Sequence, residues 1–142
     1  MKTEEIQIGN YLRVLPSKQL IKVAGVTEDK IAYMSSENKV EWIGSEHVCA
    51  VPITPQTLID NGFEEEETED CGCDRAFTYK DNECTIHIDF CYFGGDDGMN
   101  VIQRYVRIFG ATCGFDAFFD DVHVLQNVLK HLKLTKKIEV KR

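Results

Sequence analysis

Apolar and polar positions exchange every few residues through the first fifty positions of the chain, a spacing that predicts short strands joined by polar turns. Residues 11–15, Tyr-Leu-Arg-Val-Leu, alternate and stop at Pro16-Ser17-Lys18-Gln19. Residues 20–26 follow, then the turn Thr27-Glu28-Asp29-Lys30, the run Ile31-Ala32-Tyr33-Met34, the turn 35–38, and residues 39–43. Val14, Ile21, Val23, Ile31, Val40 and Trp42 are the expected core of this meander. Strands this short at this interval suggest a small barrel or sandwich unit. A unit of about fifty residues needs a packing partner to bury enough surface.

The period changes at Thr54. Thr54 suits an N-cap, Pro55 the first turn and Gly62 a left-handed stop, with Phe63 closing the C-terminal motif of a short helix. Glu64 to Asp70 reads as a solvated acidic connector. Residues 75–79 and 84–92 flank Lys80-Asp81-Asn82-Glu83 as a hairpin, and residues 101–109 add a third antiparallel strand. Residues 110–119 carry no clear period, although Phe115, Phe118 and Phe119 require burial. A final helix opens at Asp120 or Asp121, with Val122, Leu125, Val128, Leu129 and Leu132 on one face and Lys130 and Lys133 toward its end. The expected fold class is α+β: an N-terminal small β-barrel-like meander (1–52) packed on an antiparallel sheet with a short helix and a C-terminal helix (53–142). The whole chain, 1–142, is expected to form a single compact unit.

Composition narrows the functions. The 142 residues are 43% hydrophobic and 28% charged, ordinary values for a globular protein. The N-terminus turns acidic at Glu4-Glu5 without an apolar run, and no stretch is long enough to cross a bilayer, so a cytoplasmic protein with no membrane partner is expected. The net charge of −8 is uneven, with twelve acidic and two basic residues between Asn61 and Asn100, and six basic residues against Glu139 from Lys130 onward. Phosphate backbones need dense Lys and Arg, so nucleic acid is not an expected partner of the acidic middle. Arg104, Tyr105 and Arg107 combine cationic and aromatic groups, but Arg104 and Tyr105 fall on opposite strand faces and carboxylates lie nearby to pair with.

Six cysteines in a reducing compartment read as thiols, as a metal site or as a redox pair. Strand alternation places His87, Asp89 and Cys91 on one face and Cys84 on the other, with Ile86 and Ile88. A structural zinc site, the one cofactor considered, would therefore use Cys71, Cys73, His87 and Cys91, with Cys84 in the core. His87, Asp89 and Cys91 resemble a catalytic triad on paper, but residues two apart on a strand do not converge on one hydrogen-bonded line. Asp96-Asp97 lacks calcium-loop spacing, and the glycines of residues 94–98 lack the phosphate-loop Gly-Lys pattern. His123, Gln126 and Asn127 form the polar flank of the last helix, either as a buried network or as contacts to a ligand or partner.

Ile8-Gly9-Asn10-Tyr11, then Pro52-Ile53-Thr54 with Leu58 and Asn61-Gly62-Phe63, then Val122-His123-Val124-Leu125-Gln126-Asn127 occur in that order. Together they resemble an uncharacterised family of short proteins from gut Bacteroidetes, their phages and mobile elements, with "IGN", "PIPLT…GF" and "VHQLQN" motifs. This chain departs from that pattern at Ile53-Thr54, at Val124 and at Val128-Leu129-Lys130-His131, and Cys71-Cys73 is not part of it. The resemblance spans most of the chain. It implies a barrel-like part joined to an α+β part and a phage or mobile-element origin, and it assigns no catalytic residue.

The expectation is a non-enzymatic binding or interaction protein, an accessory factor of a phage or mobile element acting on a protein partner. It would act through an acidic surface at Glu64, Glu65, Glu66 and Glu67, extending to Asp70, and through the groove beside the last helix. An acidic face can imitate nucleic-acid charge toward a basic partner. The alternatives are a small-ligand pocket near the C-terminal helix using His123, Gln126 and Asn127, and a structural zinc protein.

Overall fold

The structure, a computed structural model, describes residues 1–67, 75–94 and 100–141. It is α+β, two antiparallel five-stranded sheets with two helices. The first sheet holds β1 (Tyr11–Val14), β2 (Gln19–Val26), β3 (Lys30–Met34), β4 (Val40–Gly44) and β5 (Val48–Ala50) in the order β4-β3-β2-β1-β5. A register shift between Val23 and Gly25 bends β2, yet β4 and β5 remain the two edges and no pairing closes a barrel among the described residues.

Helix α1 (Pro55–Asp60) forms as its sequence predicts. The Thr54 hydroxyl accepts from the Thr57 amide at 3.2 Å, and Gly62 adopts φ +85. The Phe63 and Gly62 amides then donate to the Leu58 and Ile59 carbonyls, closing the helix while Leu58 and Phe63 are both buried. The second sheet follows, with β6 (Glu64–Glu66), β7 (Arg75–Lys80), β8 (Cys84–Gly94), β9 (Asn100–Gly110) and β10 (Gly114–Phe118) in the order β10-β9-β8-β7-β6. Helix α2 (Val122–His131) packs on its inner face.

Three expectations need correction. Glu64–Glu66 is the edge strand β6, paired with β7, and not a connector. Residues 114–118 form a fifth strand, β10, that the pattern did not announce. Val40 and Trp42 lie outside the core, 58% and 54% exposed, because β4 is an edge strand whose outer face has no cover.

Apolar residues gather into two clusters. The smaller comprises Ile6, Leu12, Ile21, Val23, Ile31, Tyr33 and Val48 within the first sheet. The larger lies between α1, α2 and the second sheet, around Leu58, Phe77, Phe90, Ile108 and Leu125. Tyr11 belongs to the larger cluster and its neighbour Leu12 to the smaller. Alternation on β1 thus turns successive side chains to different interiors. Leu20 and Ile21 repeat the division on β2. Tyr11 and Leu20 are thus covered by the second half of the chain, while Lys22 and Ala24, farther along the same face of β2, stay exposed.

The chain beyond α2 is also part of this packing. Leu132, Lys133 and Leu134 close the helix as residues 61–63 close α1, with Lys133 at φ 58 and the Leu134 amide bonded to the Leu129 carbonyl at 3.0 Å. Ile138 is then 1% exposed within the larger cluster. No helix among the described residues is long and apolar enough to cross a membrane.

Candidate ligand pocket beside the last helix

Asn10 is the hinge pin of the region. It is 2% exposed, and its side-chain oxygen accepts from the Gln7 amide at 2.7 Å. Its side-chain nitrogen donates to Asn127 Oδ1 at 2.9 Å and to Gln126 Oε1 at 3.4 Å. Gln126 also accepts from the Tyr11 amide at 3.2 Å and donates to the Ile138 carbonyl at 3.0 Å. Asn127 donates to the Glu5 carbonyl at 2.8 Å. A buried amide must find partners or lose stability. These three amides satisfy one another and the backbones of two segments, residues 5–11 and Ile138. The Ile8-Gly9-Asn10 and Gln126-Asn127 motifs are two halves of one joint.

A second joint holds the C-terminal segment. Asn61 donates to the Glu139 carbonyl at 2.7 Å and accepts from the Glu139 amide at 2.8 Å. The Glu139 carboxylate accepts from the Tyr11 hydroxyl and from Lys22 Nζ, the latter at 3.4 Å. The Tyr11 hydrogen bond, helped by Lys22, holds the Glu139 carboxyl below its usual range. Burial and then Glu139 itself push the Tyr11 hydroxyl above its own. Lys136 donates to the Asn61 carbonyl at 2.6 Å with its ammonium 4.2 Å from the Tyr79 ring centroid, and burial lowers its pKa.

These joints leave an open pocket of about 330 Å³ between residues 7–10, the end of α2 and the segment 134–139. Gln126 and Asn127 lie at its helix side, and Lys22, Lys130, Lys136 and Lys137 surround it, opposed by Glu139 alone. Lys22 is paired to Glu139, while Lys130 and Lys137 are exposed and in no ion pair among the described residues. A chain of net charge −8 nonetheless gathers positive charge at this concavity. Lysine ammoniums are compact point charges suited to carboxylate and phosphate oxygens.

Of the residues singled out from sequence, Gln126 and Asn127 line this pocket. His123 does not. It is 3% exposed in the interior, its Nδ1 has no hydrogen-bond partner, and burial lowers its pKa against the pull of Asp121 and Glu5. It makes no bond to Asn127, whose amide is taken by Asn10 and Glu5. Glu64, Glu65, Glu66 and Glu67 are exposed at the opposite sheet edge, and Arg75 grips the Glu65 carboxylate with distances down to 2.6 Å.

Cys71 and Cys73 lie outside the described residues, as does Asp96-Asp97. His87 and Cys91 do share the outer face of β8, where His87 Nδ1 bonds the Thr78 hydroxyl at 2.8 Å. Among the described residues no three His, Cys, Asp or Glu side chains are grouped to hold a metal. Cys84 is in the core as expected, and burial pushes its thiol up to about 11. Arg104 and Arg107 pair with Asp120 and Asp89.

Sequence reasoning missed Asn10, Lys22, Lys136, Lys137 and Glu139 as neighbours of the helix. One signal was available: Leu132, Leu134, Ile138 and Val140 all fall on alternate positions, broken only by Lys136, as in a packed segment with one face inward. No family model matches the chain, and no curated protein or solved structure matches it.

Proposed function

We propose that the protein is a non-enzymatic binding protein that takes a small anionic molecule, carrying a carboxylate or phosphate, in the pocket beside α2. The observation that carries this reading is the convergence of four lysines on one cavity of about 330 Å³, against the single carboxylate of Glu139. That volume is in the range of small-molecule sites, about 300–1,000 Å³. The amides of Asn10, Gln126 and Asn127 are engaged with one another, so their role is to hold the walls apart and not to grip the ligand. Lys130 and Lys137 supply the charge.

The acidic-surface reading has less support. Glu65 is neutralised by Arg75, and Glu64 and Glu66 stand on an edge strand, where charge keeps other strands from adding to the sheet.

A thermal-shift screen with inorganic phosphate, acetate, dicarboxylates and nucleotides tests the proposal. A bound anion raises the melting temperature by mass action, about 2.7 kcal/mol at a hundred times its Kd. The Lys130→Glu/Lys137→Glu double variant abolishes that shift, and raised salt weakens it. Absence of any shift across the panel, or a shift that the double variant leaves intact, removes the proposal.

A further inference from the structure

The lysine pocket has a neighbour. On the other side of Asn127, an apolar groove of about 540 Å³ runs along α2 between a single 3-10 turn at Thr3–Glu5 and β10. Its floor is Val124, Val128 and Leu132, one helical turn apart in succession, with Phe115 from β10 as the far wall. Glu5 and His131 stand among its lining residues. Val128, Leu132 and Phe115 are half-buried against the larger core, so the groove is built on rigid elements.

Two residues, Gln7 and Asn127, line both the groove and the lysine pocket. Asn127 is fixed by its bonds to Asn10 and the Glu5 carbonyl. Gln7 is exposed and its amide hydrogen is already given to Asn10, so the ridge between the two cavities is formed by residues that line both of them. Four lysines thus line a cavity directly beside an apolar trough, with a polar stripe (Gln126, Lys130) and an apolar stripe (Val124, Val128) adjacent on the same helix.

We infer that the ligand is a single-chain amphiphile whose anionic head occupies the lysine pocket and whose apolar chain crosses Gln7 to lie in the groove along α2. This rests on the anion-binding reading above and adds the ligand's second half. Charge complementarity fixes the orientation, because the lysines take the head and the groove offers a chain no cation. Each methylene laid in the groove tightens binding about three- to fourfold, until the groove is full.

Isothermal titration of the intact protein with inorganic phosphate, butyl phosphate, hexyl phosphate and octyl phosphate, all below micelle-forming concentrations, tests this. Hexanoate and octanoate form a parallel arm that distinguishes a carboxylate head from a phosphate head. The expected result is affinity rising with chain length, by tenfold or more over every two added methylenes. Val124→Asn, half-buried on the floor of the groove and outside the lysine pocket, removes most of that gain while leaving the affinity for inorganic phosphate unchanged, and circular dichroism verifies its fold. Affinity that stays flat along the series, with phosphate still lost in Lys130→Glu/Lys137→Glu, overturns the amphiphile and leaves the anion site standing. A chain-length gain that survives Val124→Asn also overturns it, since the chain then lies elsewhere. Phosphate binding indifferent to the lysine double variant removes both readings together.

Discussion

Single residues in this protein are held by backbone geometry and burial in ways that give sharp expectations. Lys133 occupies the left-handed position that ends α2, at φ 58, where a β-carbon is strained and glycine is not. Its side chain is exposed and outside the pocket. Lys133→Gly is therefore expected to stabilise the fold by about 0.5–1 kcal/mol, the relief of strain exceeding the added freedom of the unfolded chain. A denaturant midpoint unchanged or lowered would show that Lys133 has another role. His123 gives a pH dependence. Burial keeps its folded pKa below the ordinary value of about 6.5, with the Asp121 and Glu5 carboxylates opposing and losing. The unfolded chain takes up a proton as pH falls through that value and the folded one does not, so the contribution is fully present above it. It is lost as pH falls toward the lower folded pKa. Between about pH 7.5 and pH 5.5 the wild type should lose more stability than His123→Gln, as equilibrium urea melts at the two pH values would record. Parallel losses in both proteins would assign the pH dependence to other groups.

At the scale of elements, amide joints replace extra apolar area where segments meet. Asn10 serves the Gln7 amide, Gln126 and Asn127 at once. Asn10→Ala takes the partner from Asn127 Oδ1 and from the Gln7 amide while Gln126 keeps the Tyr11 amide, an expected loss of about 1–3 kcal/mol, measured by denaturant unfolding. Asn61→Ala breaks the two-way bond to Glu139 and is expected to free the C-terminal segment before the rest of the molecule. Amide hydrogens from Lys136 to Val140 would then exchange faster while those of β8 and β9 keep their protection. Uniform acceleration across the chain would mean that the segment is not a separate unit. The same scale shows what the sequence could reveal. Helix α1 was readable in full, since Thr54, Pro55, Gly62 and Phe63 each act locally. β6 was hidden because three glutamates carry no apolar alternation. β10 was hidden because its aromatic residues face both ways, Phe115 against the core and Phe118 61% exposed. Val40 and Trp42 have strand propensity but sit on an edge, and periodicity does not distinguish an edge from a centre. The helix side of the pocket, Gln126 and Asn127, was visible, while its other walls depend on contacts across more than a hundred positions, such as Lys22 with Glu139.

At the scale of the whole molecule, the question is whether two clusters of apolar residues behave as one. Tyr11 and Leu12 are covalent neighbours in different clusters, and Leu20 and Ile21 repeat the arrangement. Melting the first sheet alone would expose Tyr11, and with it one side of the larger cluster, the Glu139 clasp and the Asn10 joint. Loss of the second sheet and α2 would equally strip the cover from β1 and β2, leaving a small sheet with apolar groups on both faces. A sheet unit of about fifty residues has too little interior to survive that exposure. Leu12→Ala in the smaller cluster and Ile86→Ala in the larger are each expected to cost about 2–5 kcal/mol. Both should lower the midpoint of one and the same transition, seen identically by far-ultraviolet circular dichroism and by Trp42 fluorescence. Trp42 reports on the outer face of the first sheet, whereas circular dichroism is weighted toward the second half of the chain, which holds both helices and the longest strands. If Ile86→Ala shifted only the circular dichroism transition and left the tryptophan transition in place, the two sheets would unfold independently. The pocket, whose walls come from β2, α2 and the C-terminal segment, would then be a junction between separable parts and not a feature of one cooperative fold.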